Sequence, residues 1–208
     1  TNTYGWFRWV YEHLPIQSSD HLLEIGCGTA AFWRENQPRL PVDVHLTLAD
    51  LSVGMVNQAR AVLPPDPCIK FMVADAQTLP LQSGAMTGAI ANHMLYHLPD
   101  IARGVSELHR VLAPGGWLCA ATNGSQHLAE LYELVNEFLP DHPRVSDSAS
   151  RFGLQNGMDY LAPVFDTVEV HHYDDGLWIT EAQPLVAYIK SMWKTERLDD
   201  AMTAEMLR

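Results

Sequence analysis

The stretch Leu22-Leu23-Glu24-Ile25-Gly26-Cys27-Gly28-Thr29-Ala30-Ala31 constrains everything around it. Leu22 to Ile25 is a short apolar run with the length of a buried strand, and it carries an acid near its end. A Gly-x-Gly turn follows, then residues that can open a helix. Gly26 and Gly28 lack a Cβ, so the backbone can turn sharply and a ligand can lie against it. Free N–H groups at the start of the next helix favour an anionic group on that ligand. The pattern is that of a nucleotide-like cofactor site.

The rest of the chain fits a sheet built on that strand. Tyr4, Phe7, Val10, Tyr11 and Leu14 recur at helical spacing before Pro15, which predicts an amphipathic N-terminal helix within residues 1–15. Its Trp6 and Trp9 read first as packing residues. Strands are expected at His21 to Ile25, Val44 to Ala49, Ile69 to Val73, Met86 to Ala91 and Trp117 to Ala121. Helices are expected from Ala30, from Val53 behind a Ser52 cap, and from Ile101 behind Pro99-Asp100, with Pro114-Gly115-Gly116 as a tight turn. Strands alternating with helices imply parallel units and an α/β, Rossmann-like, doubly wound sheet with helices on both faces.

Past Asn123 the rhythm changes. A helix around Leu128 to Phe138, a polar stretch from Pro140 to Ser150 and a helix over Arg151 to Leu161 precede a sixth strand at Val168 to Tyr173. The 123–162 excursion is long for a crossover and reads as a substrate cap. A last helix follows the capping-box pattern Thr180-x-x-Gln183. The expectation is one domain over 1–208, with 20–124 as its cofactor-binding core.

Charge narrows the partners. The formal net charge is −12, from 13 Lys and Arg against 25 Asp and Glu. Nucleic acids and anionic membranes need a basic face, so a small-molecule substrate is expected instead. No apolar run approaches the roughly 18 residues of a membrane span, and no signal sequence opens the chain, so a cytoplasmic protein is expected. Cys27, Cys68 and Cys119 form no CxxC pair and read as reduced thiols. The oligomeric state stays open.

Three acids, Glu24, Asp50 and Asp75, fall at or just past the carboxyl ends of three successive strands, the edge where open α/β sheets bind ligands. Asp50 follows Gly28 by 22 residues, a spacing suited to a carboxylate that accepts bonds from ribose hydroxyls. Asp75 suits an exocyclic amine such as adenine's.

These residues carry a resemblance. Leu-Glu-Ile-Gly-Cys-Gly-Thr at 23–29, Asp-Leu-Ser-x-x-Met at 50–55, Ala-Asp-Ala at 74–76, Asn-His-Met-Leu-Tyr-His at 92–97 and Arg-Val-Leu-Ala-Pro-Gly-Gly at 110–116 stand in order across about 20–124. The chain resembles the class I S-adenosylmethionine-dependent methyltransferases of the small-molecule type. The resemblance implies that Gly26, Cys27 and Gly28 let the loop approach the methionine moiety, with Glu24 facing its ammonium. It implies that Asp50 holds the ribose, that Leu51 and Met55 pack on the adenine, and that Asp75 and the Ala76 amide read its edge. Asn92 and His93 would line the amino-acid end or the sulfonium.

On the acceptor side, His93 and His97 are the candidate general bases, and Tyr4, Trp6, Tyr96, Asn123 and His127 are candidate acceptor-pocket residues. His93-x-x-x-His97 has helical metal-ligand spacing but no third ligand, so no metal is expected. The chain departs from the family where the loop's third glycine is Ala30, and no stretch reads as the family's antiparallel seventh strand. Two other readings compete. Gly26-x-Gly28-x-x-Ala31 also satisfies a dinucleotide pattern, as in an NAD(P)-dependent oxidoreductase. A protein that binds S-adenosylmethionine without catalysis would carry the same cofactor motifs.

Overall fold

The computed structural model describes residues 4–138, 148–176 and 178–193. The chain divides into two compact units, one formed by 4–125 with 148–173 and the other by 126–147 with 174–208 and the first three residues. The 123–162 excursion is thus shared between the two units.

The first unit holds a five-stranded parallel sheet in the order β3-β2-β1-β4-β5. Its strands are β1 (His21–Ile25), β2 (His45–Asp50), β3 (Ile69–Val73), β4 (Met86–Asn92) and β5 (Leu112–Ala121). The helices are α1 (Trp6–Glu12), α2 (Ala31–Asn36), α3 (Val53–Val62), α4 (Ile101–Val111), α6 (Ser148–Arg151) and α7 (Gly157–Leu161). Short 3-10 turns occupy Gln37–Arg39 and Leu95–His97. Strand order reverses between β1 and β4, which opens a crevice at the carboxyl ends of the strands.

Alternation along each strand divides the core between two faces. Leu23, Ile25, Ala89 and Ala91 join Val105, Leu108 and Val111 of α4 and Phe152 on one face. Leu22, Leu46, Leu48 and Ile90 join Val10 of α1, Phe32 and Trp33 of α2 and Ala59 of α3 on the other. Both faces are covered, as a parallel sheet requires. By this parity Glu24 and Asn92 belong to the face that α2 covers, and Glu24 is buried there.

The caps expected at Ser52 and Asp100 form: Met55 N–H donates to Ser52 Oγ at 3.3 Å and Arg103 N–H to Asp100 Oδ1 at 3.0 Å. Several expectations are corrected. Pro114-Gly115-Gly116 lies inside β5, where the register slips between Met86–Leu112 and Gly88–Trp117 and three extra residues bulge outward. The helix over Arg151 to Leu161 is broken, because Asn156 takes over local backbone groups. Its Oδ1 accepts from Gly153 N–H at 2.7 Å, and its Nδ2 donates to the Ser150 carbonyl at 2.7 Å. Val168 to Tyr173 forms no strand; Tyr173 packs against Trp6 and Trp9 of α1 and His171 against His13 just past its end instead.

The second unit contains α5 (Ala129–Phe138) and α8 (Ala182–Trp193), with Leu131, Val135, Val186 and Ile189 buried. Since α8 begins at Ala182, Thr180 stands one residue too early to cap it. The Pro140 to Asp147 part of the polar stretch lies outside the described residues. No described helix is long and apolar enough to cross a membrane.

Candidate functional site

The strand-order reversal brings Glu24, at the end of β1, beside Asn92, at the end of β4. Asn92 Nδ2 donates to Glu24 Oε1 at 3.2 Å. Glu24 Oε2, Asn92 Oδ1 and the Trp33 indole N–H are buried without a hydrogen-bond partner of proper geometry. Burial is the main force on Glu24 and pushes its carboxyl up to about 8. The Asn92 amide and the nearby Trp33 N–H pull it down, and the Asp50 charge adds to the rise. Glu24 Oε2, with only the poorly aligned Trp33 N–H near it, and Asn92 Oδ1 therefore keep acceptor capacity at the head of the crevice, on a carboxyl that a cation would ionise.

The Gly loop closes over this point. Gly26 has φ +72, and a Cβ placed there would sit 2.7 Å from Met94 Cβ, so the residues after β4 seal that side. Gly28 has φ +53 with no protein atom beyond its chain neighbours within 4 Å of its notional Cβ, so the space beside it is open to a ligand. Ala30 also holds a left-handed conformation, φ 57, at the head of α2, where glycine costs less.

The α2 helix has only six residues, and the Gly28 N–H donates to Asp50 Oδ2 at 3.0 Å. The Gly28 amide is thus taken by the protein's own carboxyl group. Asp50 Oδ1 accepts from Ser52 N–H at 2.8 Å, so Asp50 pins both the Gly loop and the start of α3 while each oxygen keeps a lone pair for a hydroxyl. Burial first, then the charges of Glu24 and Asp50, push the Cys27 thiol up to about 12, so it stays a neutral packing group.

Beside Asp50, Leu51 is 72% exposed and Met55 40% exposed, an apolar pair standing open at the start of α3. Across from them Asp75 is half-buried and accepts from Gln77 N–H at 2.8 Å and from the Gln77 side chain at 3.2 Å, and Ala76 is buried beside it. A ligand amine at Asp75 therefore shares that carboxylate with Gln77.

After Asn92, His93 sits at φ 50, a left-handed conformation rare outside glycine, with its N–H bonded to the Ala121 carbonyl. Its ring faces Trp6 at a centroid distance of 5.3 Å. His97 lies at the end of the 3-10 turn, exposed and against Tyr96, so the two histidines do not share a helix face. Burial pushes the Tyr96 phenol up. The Asn123 carbonyl accepts from Leu154 N–H at 3.2 Å at the end of β5. Tyr4, Trp6, Tyr96 and Asn123 belong to the unit with the sheet, and His127 belongs to the other. Trp33, Met94 and Gln77 escaped sequence reasoning. Trp33 and Met94 read there as ordinary apolar residues, whereas Gln77, two residues past Asp75, stands where an acid's local hydrogen-bond partner is common.

Residues 23–120 match the methyltransferase domain family. The malonyl-[acyl-carrier protein] O-methyltransferase of Alcanivorax borkumensis is 38% identical over 120 residues, covering 58% of this chain and 39% of that protein. The demethylmenaquinone methyltransferase of Desulfitobacterium hafniense is 30% identical over 115 residues, 54% of this chain and 46% of that protein. The chain thus spans about half or less of these relatives' length. Among solved structures, an S-adenosylmethionine-dependent methyltransferase from Mesorhizobium loti is 28% identical, with a TM-score of 0.52 over 60% of this chain and 57% of its own. A Haloferax volcanii methyltransferase in complex with the activator Trm112 shares the fold at 20% identity, with a TM-score of 0.61 over 76% of this chain and 66% of its own. Together with the parallel sheet and the crevice at its reversal point, these matches identify residues 23–120 as the core of a class I S-adenosylmethionine-dependent methyltransferase domain.

Proposed function

We propose that the protein transfers the methyl group of S-adenosylmethionine to a small-molecule O, N or C nucleophile, leaving S-adenosylhomocysteine. One observation carries the reading: the buried, half-satisfied pair Glu24–Asn92 at the head of the crevice. The remaining acceptor capacity of Glu24 and Asn92 there suits the ammonium group of the cofactor's amino-acid end, which needs hydrogen-bond acceptors and a countercharge. The bound cofactor supplies a methyl already made electrophilic by its sulfonium.

The protein's own residues bind, orient and shield. Glu24 and Asn92 hold the amino-acid end, and Gly26 to Gly28 let it lie against the backbone. Asp50 accepts from the ribose hydroxyls while fixing the loop, and Leu51 and Met55 cover the adenine whose amine meets Asp75 and whose ring reaches the Ala76 amide. Bringing acceptor and methyl into line supplies much of the rate. His93, one residue past Asn92, is the group placed to take an acceptor's proton; His97 stands farther along the exposed turn.

The dinucleotide reading loses its footing at the same loop. A pyrophosphate needs free loop amides, whereas Gly28 N–H is given to Asp50 with Glu24 close by. The similar proteins named for malonyl-carrier and demethylmenaquinone substrates support a small or carrier-borne acceptor. Incubation with S-adenosylmethionine and a panel of hydroxyl, amine and activated-carbon acceptors, read by mass spectrometry, tests the reading. Acceptor-dependent S-adenosylhomocysteine formation supports an enzyme. Cofactor binding without turnover across the panel favours a non-catalytic binding protein.

A further inference from the structure

Aromatic rings from three segments of the sheet-bearing unit converge next to His93. Trp6 of α1 lies 5.3 Å from the His93 ring and stacks on Trp9 at 5.7 Å with planes 21° apart. Tyr173, from the extended chain after α7, meets both indoles at 5.2 Å. Its hydroxyl donates to the Tyr4 carbonyl at 2.5 Å, which pins the extended segment to the start of α1. Arg8, the cation of α1, is bonded to Glu12 at 2.8 Å and lies over the Tyr4 ring.

Position gives this ring set its meaning. It begins one residue past Asn92, whose amide holds the deepest carboxylate of the crevice, so its first member adjoins the amino-acid end of the cofactor site. His93 holds a left-handed backbone, φ 50, and its imidazole lies tilted against Trp6. Trp6, Trp9 and Tyr173 are half-buried, which leaves part of each ring open. Ring faces reward a flat aromatic guest with offset or edge contacts beyond the apolar area covered, and they give a saturated guest only the area. The net charge of −12 disfavours an anionic guest.

Resting on the methyltransferase reading, we propose that Trp6, Trp9, Tyr173 and His93 form the acceptor wall, and that the acceptor is a flat, uncharged aromatic ring system bearing a hydroxyl or amine. Trp9 and Tyr173 thereby join the residues that determine specificity.

Calorimetry on the 208-residue chain saturated with S-adenosylhomocysteine tests this with 2-naphthol and its saturated counterpart 2-decalol. The wall predicts that naphthol binds at least tenfold more tightly. Trp6→Leu brings the two alcohols to within threefold, and Trp6→Phe keeps most of the preference. Equal affinity for the two alcohols, binding of neither, or an unchanged preference in Trp6→Leu overturns the proposal. The S-adenosylhomocysteine titration that precedes each run separates the two failures. A chain that takes it up without ring preference loses this inference alone, and a chain that does not take it up loses the methyltransferase reading as well. If Trp6→Leu fails to fold, Trp6→Phe and the two alcohols on the parent chain still decide.

Discussion

Glu24 and Asn92 lie on neighbouring parallel strands, joined by a 3.2 Å hydrogen bond, and each keeps one buried oxygen without a partner. A fold retains unfilled acceptors of this kind at a free-energy cost, and a ligand with matching donors offsets it.

Glu24→Gln tests that relationship from both sides. Burial raises the Glu24 carboxyl from an ordinary 4.5 to about 8, so its contribution to stability is full below about pH 4.5 and is lost as pH rises toward about 8. The glutamine variant, which cannot ionise, is expected to be as stable as the parent at pH 5 and more stable at pH 8 by urea unfolding. Its affinity for S-adenosylhomocysteine falls at least about tenfold, or ~1.4 kcal/mol.

Ligand binding itself should release a proton. Holding an ammonium requires the carboxylate, and the free protein carries Glu24 as the neutral acid below about pH 8. Affinity for S-adenosylhomocysteine therefore climbs with pH, approaching tenfold per unit below about pH 7.5, and levels off above about 8. Calorimetry in phosphate and in Tris at pH 7 checks the sign, since a released proton makes the apparent enthalpies differ by the buffers' ionisation enthalpies.

The two loop glycines separate folding from binding. In Gly26→Ala the new Cβ meets Met94 at 2.7 Å in a left-handed backbone, so a loss of about 2–3 kcal/mol in stability is expected by thermal and urea unfolding. In Gly28→Ala the Cβ meets no protein atom and costs only about 1–2 kcal/mol of backbone strain. It enters the open space proposed for the ligand, and S-adenosylhomocysteine affinity is expected to drop more than stability does.

Arg151, in the later part of the 123–162 excursion, ties that segment to the turn after β4. Its Nη1 donates to the Tyr96 carbonyl at 2.8 Å and its Nη2 to the Leu98 carbonyl at 2.5 Å. Arg151→Ala removes both bonds and is expected to cost about 1–2 kcal/mol by urea unfolding. Hydrogen exchange should quicken most at 95–98. Arg151→Lys, which cannot span both carbonyls, recovers no more than half of the loss.

The strand–loop–acid framework was legible because its causes are local. An apolar run marks β1, glycines mark the turn, and Ser52 and Asp100 sit at the helix starts they cap. The reach of Asp50 back to the Gly28 amide was not legible, since it depends on the register of β1 against β2. Val168 to Tyr173 alternates like a strand, yet Tyr173 finds ring partners on α1 and His171 finds one in His13 just past it, so tertiary contact overrode local pattern. The ring cluster proposed as a wall was half legible: Trp6 and His93 stood out as acceptor-side candidates, whereas Trp9 read as packing and Tyr173 joins them only through folding.

Titration of the 208-residue chain with S-adenosylhomocysteine by calorimetry, with NADH as the control, tests the central claim most directly. Saturable, near one-to-one binding of S-adenosylhomocysteine and none of NADH is expected. Binding of NADH with none of S-adenosylhomocysteine would contradict it, and would mean that the Glu24–Asn92 pair and the Asp50-held loop serve a different cofactor.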